Sequence, residues 1–592
     1  MGSMPVEGGV AFRVWAPHAE SVSVVGDFND WTEGVDAMTR EANDTWYTFV
    51  EGARVGQGYL YELQTPSGVL KRPDPRARAM ENSSSHSLIV RRDAIPEPDR
   101  FSPPTLDQLI VYEMHVGSFH VPEGKSHGTF DSAAEKLPYL KDLGINAIEL
   151  MPVAEFAGDL SWGYNPACPY AVESAYGGPE GLRHLIKEAH AIGIAVIIDV
   201  VYNHFGPSDL GLWRFDGWSE GEGGGIYFYN DHRSATPWGN TRPDYGRGEV
   251  RTYIRDNAMM WLEEYGADGL RWDMTVFIRS CQGNPGDPMD DLSDGWGLMQ
   301  WINKEVHQRF PRAITIAEDL RDSEWLVRGV GAGGAGFSTQ WNACFVHPIR
   351  DVMTRTEDAH RDLAALHAAL TCRFDGDAFK RVIYSESHDE VANGNARLPS
   401  EIAPDEPTAL PAFQRSNLAA ALVFTAPGVP MIFQGQEFLQ DEWFRDDVPL
   451  DWSRLAEFSG VHALYRDLAR CRSNAQGVTA GLQGQSIVVH HVEDDRNVVG
   501  FRRWREGGKG DDVVVIANLS AFPADDIRIG VPSQGWWRVR LHTDAAVYGA
   551  ELEGHPCVDT EAIPGDWDGE PFSIQVAVGA YAAAILSQDK SN

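Results

Sequence analysis

An α/β protein built on a (β/α)8 TIM barrel, flanked by N-terminal and C-terminal β-sandwiches, is predicted by three observations. Eight short apolar runs between residues 109 and 434 alternate with helical patterns. Before residue 97 and after residue 479 the pattern turns to short alternating strands broken by Gly, Pro and Asn. Several of the eight runs end in Asp or Glu, and barrel strands present such end residues together at one mouth.

The N-terminal strands come first. Val10–Ala16, Val22–Gly26, Trp46–Val50 and Tyr59–Leu63 alternate apolar and polar positions, the pattern of half-buried sandwich strands. The Pro-rich stretch from Ile95 to Pro104 reads as a linker. The barrel strands follow as Leu109–Glu113, Ala147–Met151, Ala195–Val200, Gly269–Asp273, Ile314–Glu318, Gly336–Trp341, Arg381–Glu386 and Val429–Gln434. Near-continuous apolar runs of this kind suit strands buried on both faces. Between them, Leu137, Leu140 and Leu143 mark one helix face. Leu182, Leu185, Ile186 and Ala189 mark another, and Val250, Ile254, Trp261, Leu262 and Tyr265 a third. A doubly wound sheet would want a Gly-rich phosphate loop after its first strand, and none is present. Residues 205–248 interrupt the alternation with Trp213, Phe215, Trp218, Tyr227, Phe228, Tyr229, Trp238 and Tyr245. They are expected either to pack on themselves as a lid or to form a sugar-stacking wall. From Ser486 the alternating pattern returns through Val498–Trp504, Val513–Leu519, Trp536–Leu541 and Phe572–Leu586. Three domains are expected: 1–97, 98–478 and 479–592.

Composition bounds the function. With 592 residues, 43% hydrophobic and 23% charged, the chain can bury large cores. Asp and Glu number 86 against 50 Lys and Arg, a formal charge of −36 that argues against nucleic acid and anionic membranes as partners. No apolar run is long enough to span a bilayer. Cys168, Cys281, Cys344, Cys372, Cys471 and Cys557 are scattered without a CxxC, which reads as buried thiols in the cytoplasm. No secretory signal opens the chain, and the second methionine, Met4, marks the first three residues as an expression remnant.

The chemistry lies at the strand ends. Strand 3 ends in Asp199 with Asn203-His204 beyond it. Strand 4 ends in Arg271-Trp272-Asp273, strand 5 in Glu318-Asp319, and strand 7 leads to His388-Asp389-Glu390. A single Asp at a strand end is most often a helix cap. Several carboxylates on one barrel face repel one another and have no simple structural role. Paired carboxylates suit glycoside chemistry, one attacking the anomeric carbon and one protonating the leaving oxygen. The His and acid spacing matches no metal-ligand motif.

The run Asp199-x-x-x-Asn203-His204, Gly269-x-Arg271-x-Asp273, Glu318 and His388-Asp389 is similar to the four short conserved regions of the α-amylase superfamily, glycoside hydrolase family 13. Phe12–Pro17 and Gly26–Trp31 resemble the carbohydrate-binding module of its branching and debranching members and trehalohydrolases. The resemblance covers nearly the whole chain. It implies Asp273 as nucleophile, Glu318 as general acid and base, and Asp389 as the carboxylate that binds sugar hydroxyls and favours the distorted sugar. It implies Arg271 holding Asp273 ionised, and a raised pKa at Glu318 from the neighbouring carboxylates. His204 and His388 would donate hydrogen bonds to the sugar, Tyr164 with Trp162 beside it would stack on that sugar, and Asp199 and Asn203 would brace the site. Where many amylases carry Lys-His or His after the nucleophile, this chain has Val276 and Phe277, which points to a different acceptor side. No cofactor is implied. Some amylases hold a structural Ca²⁺ near the Asn203 position, but no cage of hard oxygen ligands is readable here.

Within the family, branching enzymes resemble the chain at Tyr112–Ser118, Ser387–Val391, Gln436–Phe438 and Leu450–Trp452. Maltooligosyltrehalose trehalohydrolases resemble it at Ser174–Glu180 and Val200–Pro207, but commonly have Asn where this chain has Ser387. The expected activity is 1,4-α-glucan branching on an α-glucan or maltooligosaccharide. Trehalohydrolase action and amylase-like hydrolysis or transglycosylation are the alternatives. A non-catalytic glucan-binding protein is disfavoured because all three carboxylates are kept. Oligomeric state is not readable.

Overall fold

The computed structural model describes residues 1–92, 101–552 and 554–590. The expected linker and the expected boundary at residue 97 fall largely or wholly on 93–100 and lie outside the described residues.

The N-terminal part is two antiparallel sheets. Gly9–Trp15 pairs with Gly2–Val6 on one side and Thr45–Glu51 on the other. Ser21–Gly26 pairs with Gly58–Thr65 in the second sheet. The alternation puts Val10, Phe12 and Val14 inward, where they pack with Val24, Tyr59 and Tyr61. Residues 1–3 join this part of the fold. Gly2 and Ser3 belong to an edge strand, and the Ser3 N–H donates to buried Asp74 at 3.1 Å. A segment that fills sheet positions and satisfies a buried carboxylate is part of the fold.

Eight parallel strands close the barrel in sequence order. They are β1 (Val111–Met114), β2 (Ala147–Leu150), β3 (Ala195–Val200), β4 (Gly269–Trp272), β5 (Ile314–Ala317), β6 (Thr339–Trp341), β7 (Arg381–Ile383) and β8 (Val429–Phe433), with β8 paired back to β1. Helices Leu137–Leu143, Gly178–Ala191 and Gly248–Glu263 lie where the apolar spacing placed them. The barrel interior is filled by Val111, Ala147, Ile197, Ile316, Val382 and Met431, so it is a packed core. β7 is three residues shorter than expected. Its Ile383 pairs with Pro430, which has no N–H to carry the ladder further. An antiparallel pair, Ala154–Phe156 with Pro166–Val172, follows β2 and was not expected from the pattern.

The 205–248 insertion is mostly core. Phe215, Tyr227, Phe228, Tyr229 and Tyr245 are buried. Much of the segment is a seat for the N-terminal sheets: Trp15 meets Tyr227 edge-on, His18 stacks on Trp218, and Arg72 donates to the carbonyls of Trp213, Arg214 and Phe215.

The C-terminal part is one eight-stranded antiparallel sheet folded over a core that includes Val514, Ile516, Ile527, Ile529, Trp537, Ile574 and Leu586. Ala524–Val531 and Thr560–Trp567 are strands the pattern did not reveal. Phe572–Leu586 divides into Glu570–Val578 and Ala582–Ser587. Arg503 anchors this part to the barrel by donating to the carbonyls of Thr425, Leu482 and Gly484.

All six cysteines are free thiols, but only Cys168 is buried and Cys344 is exposed. The expectation of uniformly buried thiols is corrected: spacing without CxxC excludes local pairing and says nothing about depth. Among the described residues, no helix is long and apolar enough to cross a membrane.

Candidate active site

The site is built around Arg271. In β4, Arg271 lies in register with Asp199 of β3. Its guanidinium is wholly buried and lies over the Trp341 ring at 4.3 Å from the centroid. Nη1 donates to Asp199 Oδ2 at 2.6 Å, to Asp273 Oδ1 at 3.2 Å and to the Tyr164 hydroxyl at 3.1 Å. Nη2 forms an ion pair with Glu318 Oε2 at 2.8 Å. One cation thus gathers three carboxylates from three strand ends. Removing a buried cation from such a cluster leaves charges that neither water nor protein balances.

Asp273 follows the last residue of β4. Its second oxygen accepts from Asn203 Nδ2 at 2.6 Å, and the same amide donates to the Asp273 carbonyl at 2.9 Å. Met274 next to it has φ +38, an uncommon value for a residue with a Cβ. Its N–H donates to Glu318 Oε2 at 2.8 Å. Glu318 Oε1 is buried and has no hydrogen-bond partner among the described residues. One oxygen of this carboxyl is therefore fixed, and the other is free for a proton transfer.

Burial pushes the Asp273 carboxyl up to about 6 against the pull of Arg271. Burial, opposed by Arg271 and assisted by Asp273 and Asp389, pushes Glu318 up to about 8. Neighbouring carboxylates were expected to be the cause at Glu318; loss of water is the larger one. Asp199 is likewise raised to about 6 by burial. Burial raises both carboxyls and Glu318 the further, the order that nucleophile and acid require.

His388 and Asp389 stand beyond β7. The His388 N–H donates to Glu113 Oε2 at 3.1 Å, and its Nδ1 bonds Glu113 Oε1. Burial works against the imidazolium, but Asp389 and Glu113 outweigh it and raise His388 to about 9. Its Nε2 faces Asp389 Oδ2 at 3.5 Å, and that carboxylate is 41% exposed. Tyr164 stacks on the His388 ring at 5.0 Å, and its hydroxyl donates to Asp199 at 2.6 Å. Trp162 meets His388 edge-on and leans on Phe444.

His204 departs from expectation. Its Nδ1 lies 2.5 Å from Asn203 Oδ1 and its Nε2 lies 2.8 Å from the Tyr164 carbonyl. Both ring nitrogens face protein acceptors, so no N–H remains for a sugar. The ring braces Asn203, which braces Asp273.

Two carboxylates were missed as site residues. Glu113 of β1 orients His388. Glu149 of β2, its register partner, is buried among Glu113, Asp199 and Arg271, and burial raises its pKa well above the usual range. Both are acids in barrel strands, so the reasoning applied to strands 3, 4, 5 and 7 would have found them. Among the described residues, no group of three or more His, Cys, Asp and Glu side chains is placed to hold a metal ion.

The model of the alpha amylase catalytic domain matches residues 113–211 and 240–476. Carbohydrate-binding module 48, the isoamylase N-terminal domain, matches residues 1–77, and the alpha amylase C-terminal all-beta domain matches 488–589. The 1,4-alpha-glucan branching enzyme of Rhodopseudomonas palustris (strain BisB5) is 34% identical, over 93% of this chain and 78% of its own length. That of Pseudoalteromonas atlantica is 29% identical, over 97% of this chain and 81% of its own. Among solved structures, the Anoxybacillus sp. LM18-11 pullulanase complexed with maltotetraose superposes with TM-score 0.77 at 20% identity, covering 99% of this chain and 87% of that one. The Bacillus subtilis type I pullulanase complexed with maltose gives TM-score 0.77 at 21% identity, over 100% and 85%.

Proposed function

Because this chain belongs to the alpha-amylase family, we propose that it is a retaining 1,4-α-glucan branching enzyme. It cleaves an α-1,4 chain and transfers the freed end to a 6-hydroxyl. The observation that carries this reading is the Arg271 cluster, which holds Asp273 and Glu318 on one guanidinium and leaves Glu318 Oε1 without a partner among the described residues.

Asp273, steadied by Asn203 and Arg271, attacks the anomeric carbon. Glu318 gives its proton to the glycosidic oxygen, and the aglycone leaves. Esterification removes the Asp273 charge that helps to hold Glu318 protonated, so the Glu318 pKa falls and its carboxylate becomes the base of the second step. A sugar hydroxyl then attacks the ester, its proton passes to Glu318, and Asp273 departs as a carboxylate. Asp389 and the His388 edge hold sugar hydroxyls, while Tyr164, with Trp162 beside it, receives the sugar's apolar face. Asp199 and Asn203 hold the charged network in place.

Transfer to a 6-hydroxyl is preferred over hydrolysis because the relatives that align along nearly the whole chain bear the name branching enzyme. Domains at 1–97, 98–478 and 479–592 and a cytoplasmic site of action complete the proposal, the latter supported by six free thiols. The test is incubation with amylose. Loss of iodine colour with new α-1,6 linkages and few new reducing ends is expected. A matching rise in reducing ends means hydrolysis, and release of trehalose from maltooligosyltrehalose with amylose untouched overturns the choice.

A further inference from the structure

One ring of the insertion is left uncovered at the barrel mouth. Trp238 is 38% exposed, while five other aromatics of the segment are buried. It lies flat on His204 at 4.8 Å and 13°, and meets Phe277 edge-on at 5.3 Å. Its turn is pinned. The Thr236 N–H and hydroxyl both donate to the Gly239 carbonyl, at 2.8 and 2.9 Å, and the Trp238 N–H donates to Thr236 Oγ1 at 3.3 Å. Gly239 takes φ +146, which side chains rarely adopt, and Pro237 restricts the chain just before the ring. A ring held this way loses little freedom when a ligand stacks on it.

Its two neighbours tie it to the reacting carboxylates. His204 contacts Asn203, whose amide holds Asp273. Phe277 is three residues beyond Met274, whose N–H holds Glu318. The ring's two neighbours thus lead, through Asn203 and Met274, to the residues that hold Asp273 and Glu318. His204 Nε2 also meets the Tyr164 carbonyl, while the Tyr164 ring turns to His388 in a stacked pair beside Asp389 and Glu113. We propose that Trp238, backed by His204 and Phe277, is the stacking platform for the acceptor glucosyl unit of an α-glucan. This rests on the retaining α-glucan reading. A sugar held on the ring is at high local concentration against the Asp273 ester, so transfer gains over attack by water.

The test uses α-maltosyl fluoride as donor and maltose as acceptor, comparing the native chain with Trp238→Ala and Trp238→Phe. Trp536→Ala serves as control, since Trp536 is an exposed Trp (48%) of the C-terminal sheet. Trp238→Ala should lower the ratio of transfer to hydrolysis products about tenfold, the size of one aromatic stacking contact. Trp238→Phe should restore most of it, and Trp536→Ala should not change it. An unchanged ratio in Trp238→Ala overturns the proposal. If the native chain makes no transfer product, the branching reading fails, and cleavage of maltohexaose then judges the platform. A tenfold fall in kcat/KM for Trp238→Ala, rescued by Phe, supports a platform for the leaving half, and no fall overturns it.

Discussion

Replacing Arg271 by Met tests whether the guanidinium tunes the acids or only positions them. Arg271 sits 3.2 Å from Asp273 and 2.8 Å from Glu318. At that range one pair is worth about 5 kcal/mol with an effective dielectric of about 20. Water and side-chain relaxation recover a large part, and halving the figure leaves about two pKa units. Asp273 would rise from about 6 to near 8, and Glu318 from about 8 to near 10. At pH 7 the charged share of Asp273 falls from about nine-tenths to about one-tenth. The kcat/KM for maltohexaose cleavage at pH 7 should therefore drop at least about tenfold. The whole bell should move up by about two pH units, leaving the variant at its best near pH 9. The assay is kcat/KM from pH 5 to 10, with circular dichroism at each pH to verify folding. A lower bell with both limbs in place would refute the electrostatic argument.

Asp273→Asn should lower kcat by at least about ten-thousandfold while amylose still retards the protein in affinity electrophoresis; measurable turnover would sink the nucleophile assignment. Glu437 is buried with the Tyr112 and Tyr139 hydroxyls, and burial raises it to about 7. A carboxyl raised in the folded state adds stability that is whole below its unfolded pKa, near 4.5, and is lost as pH rises through 7. Urea unfolding should therefore show the native chain losing about 3 kcal/mol relative to Glu437→Gln between pH 4.5 and 8. Equal slopes for the two proteins would contradict the shift. Asp74 accepts from the Ser3 N–H, the Tyr59 hydroxyl and the Arg76 N–H. Asp74→Ala should cost about 3 kcal/mol, seen by calorimetry as an earlier transition, with amylose cleavage at 25 °C kept within about twofold.

The barrel and the four acidic strand ends were legible because both depend on local pattern. An apolar run bounded by turns reports a buried strand wherever its neighbours lie, and an Asp at the end of such a strand must face the common mouth. β7 was overextended because Pro430, which stops its ladder, lies in another strand. The C-terminal strands Ala524–Val531 and Thr560–Trp567 were missed because Asp525-Asp526 and Pro564-Gly565 disguise the alternation, and only pairing with Glu570–Val578 makes both strands. Glu149 was legible in principle and was overlooked because it stands inside its expected strand, whereas Glu113 closes the first expected strand and was passed over all the same.

The sequence by itself determined the barrel, its order of strands and the acids at its mouth, since burial and strand direction are written in residue spacing. Tertiary structure alone decided who shares which partner. It put Asp199, Asp273 and Glu318 on one guanidinium, turned both nitrogens of His204 inward, and buried most aromatics of the insertion while leaving Trp238 at the mouth. The reason is physical. A side chain's exposure and hydrogen bonds depend on register with strands and loops far away in the chain, and spacing along one segment does not encode that distance.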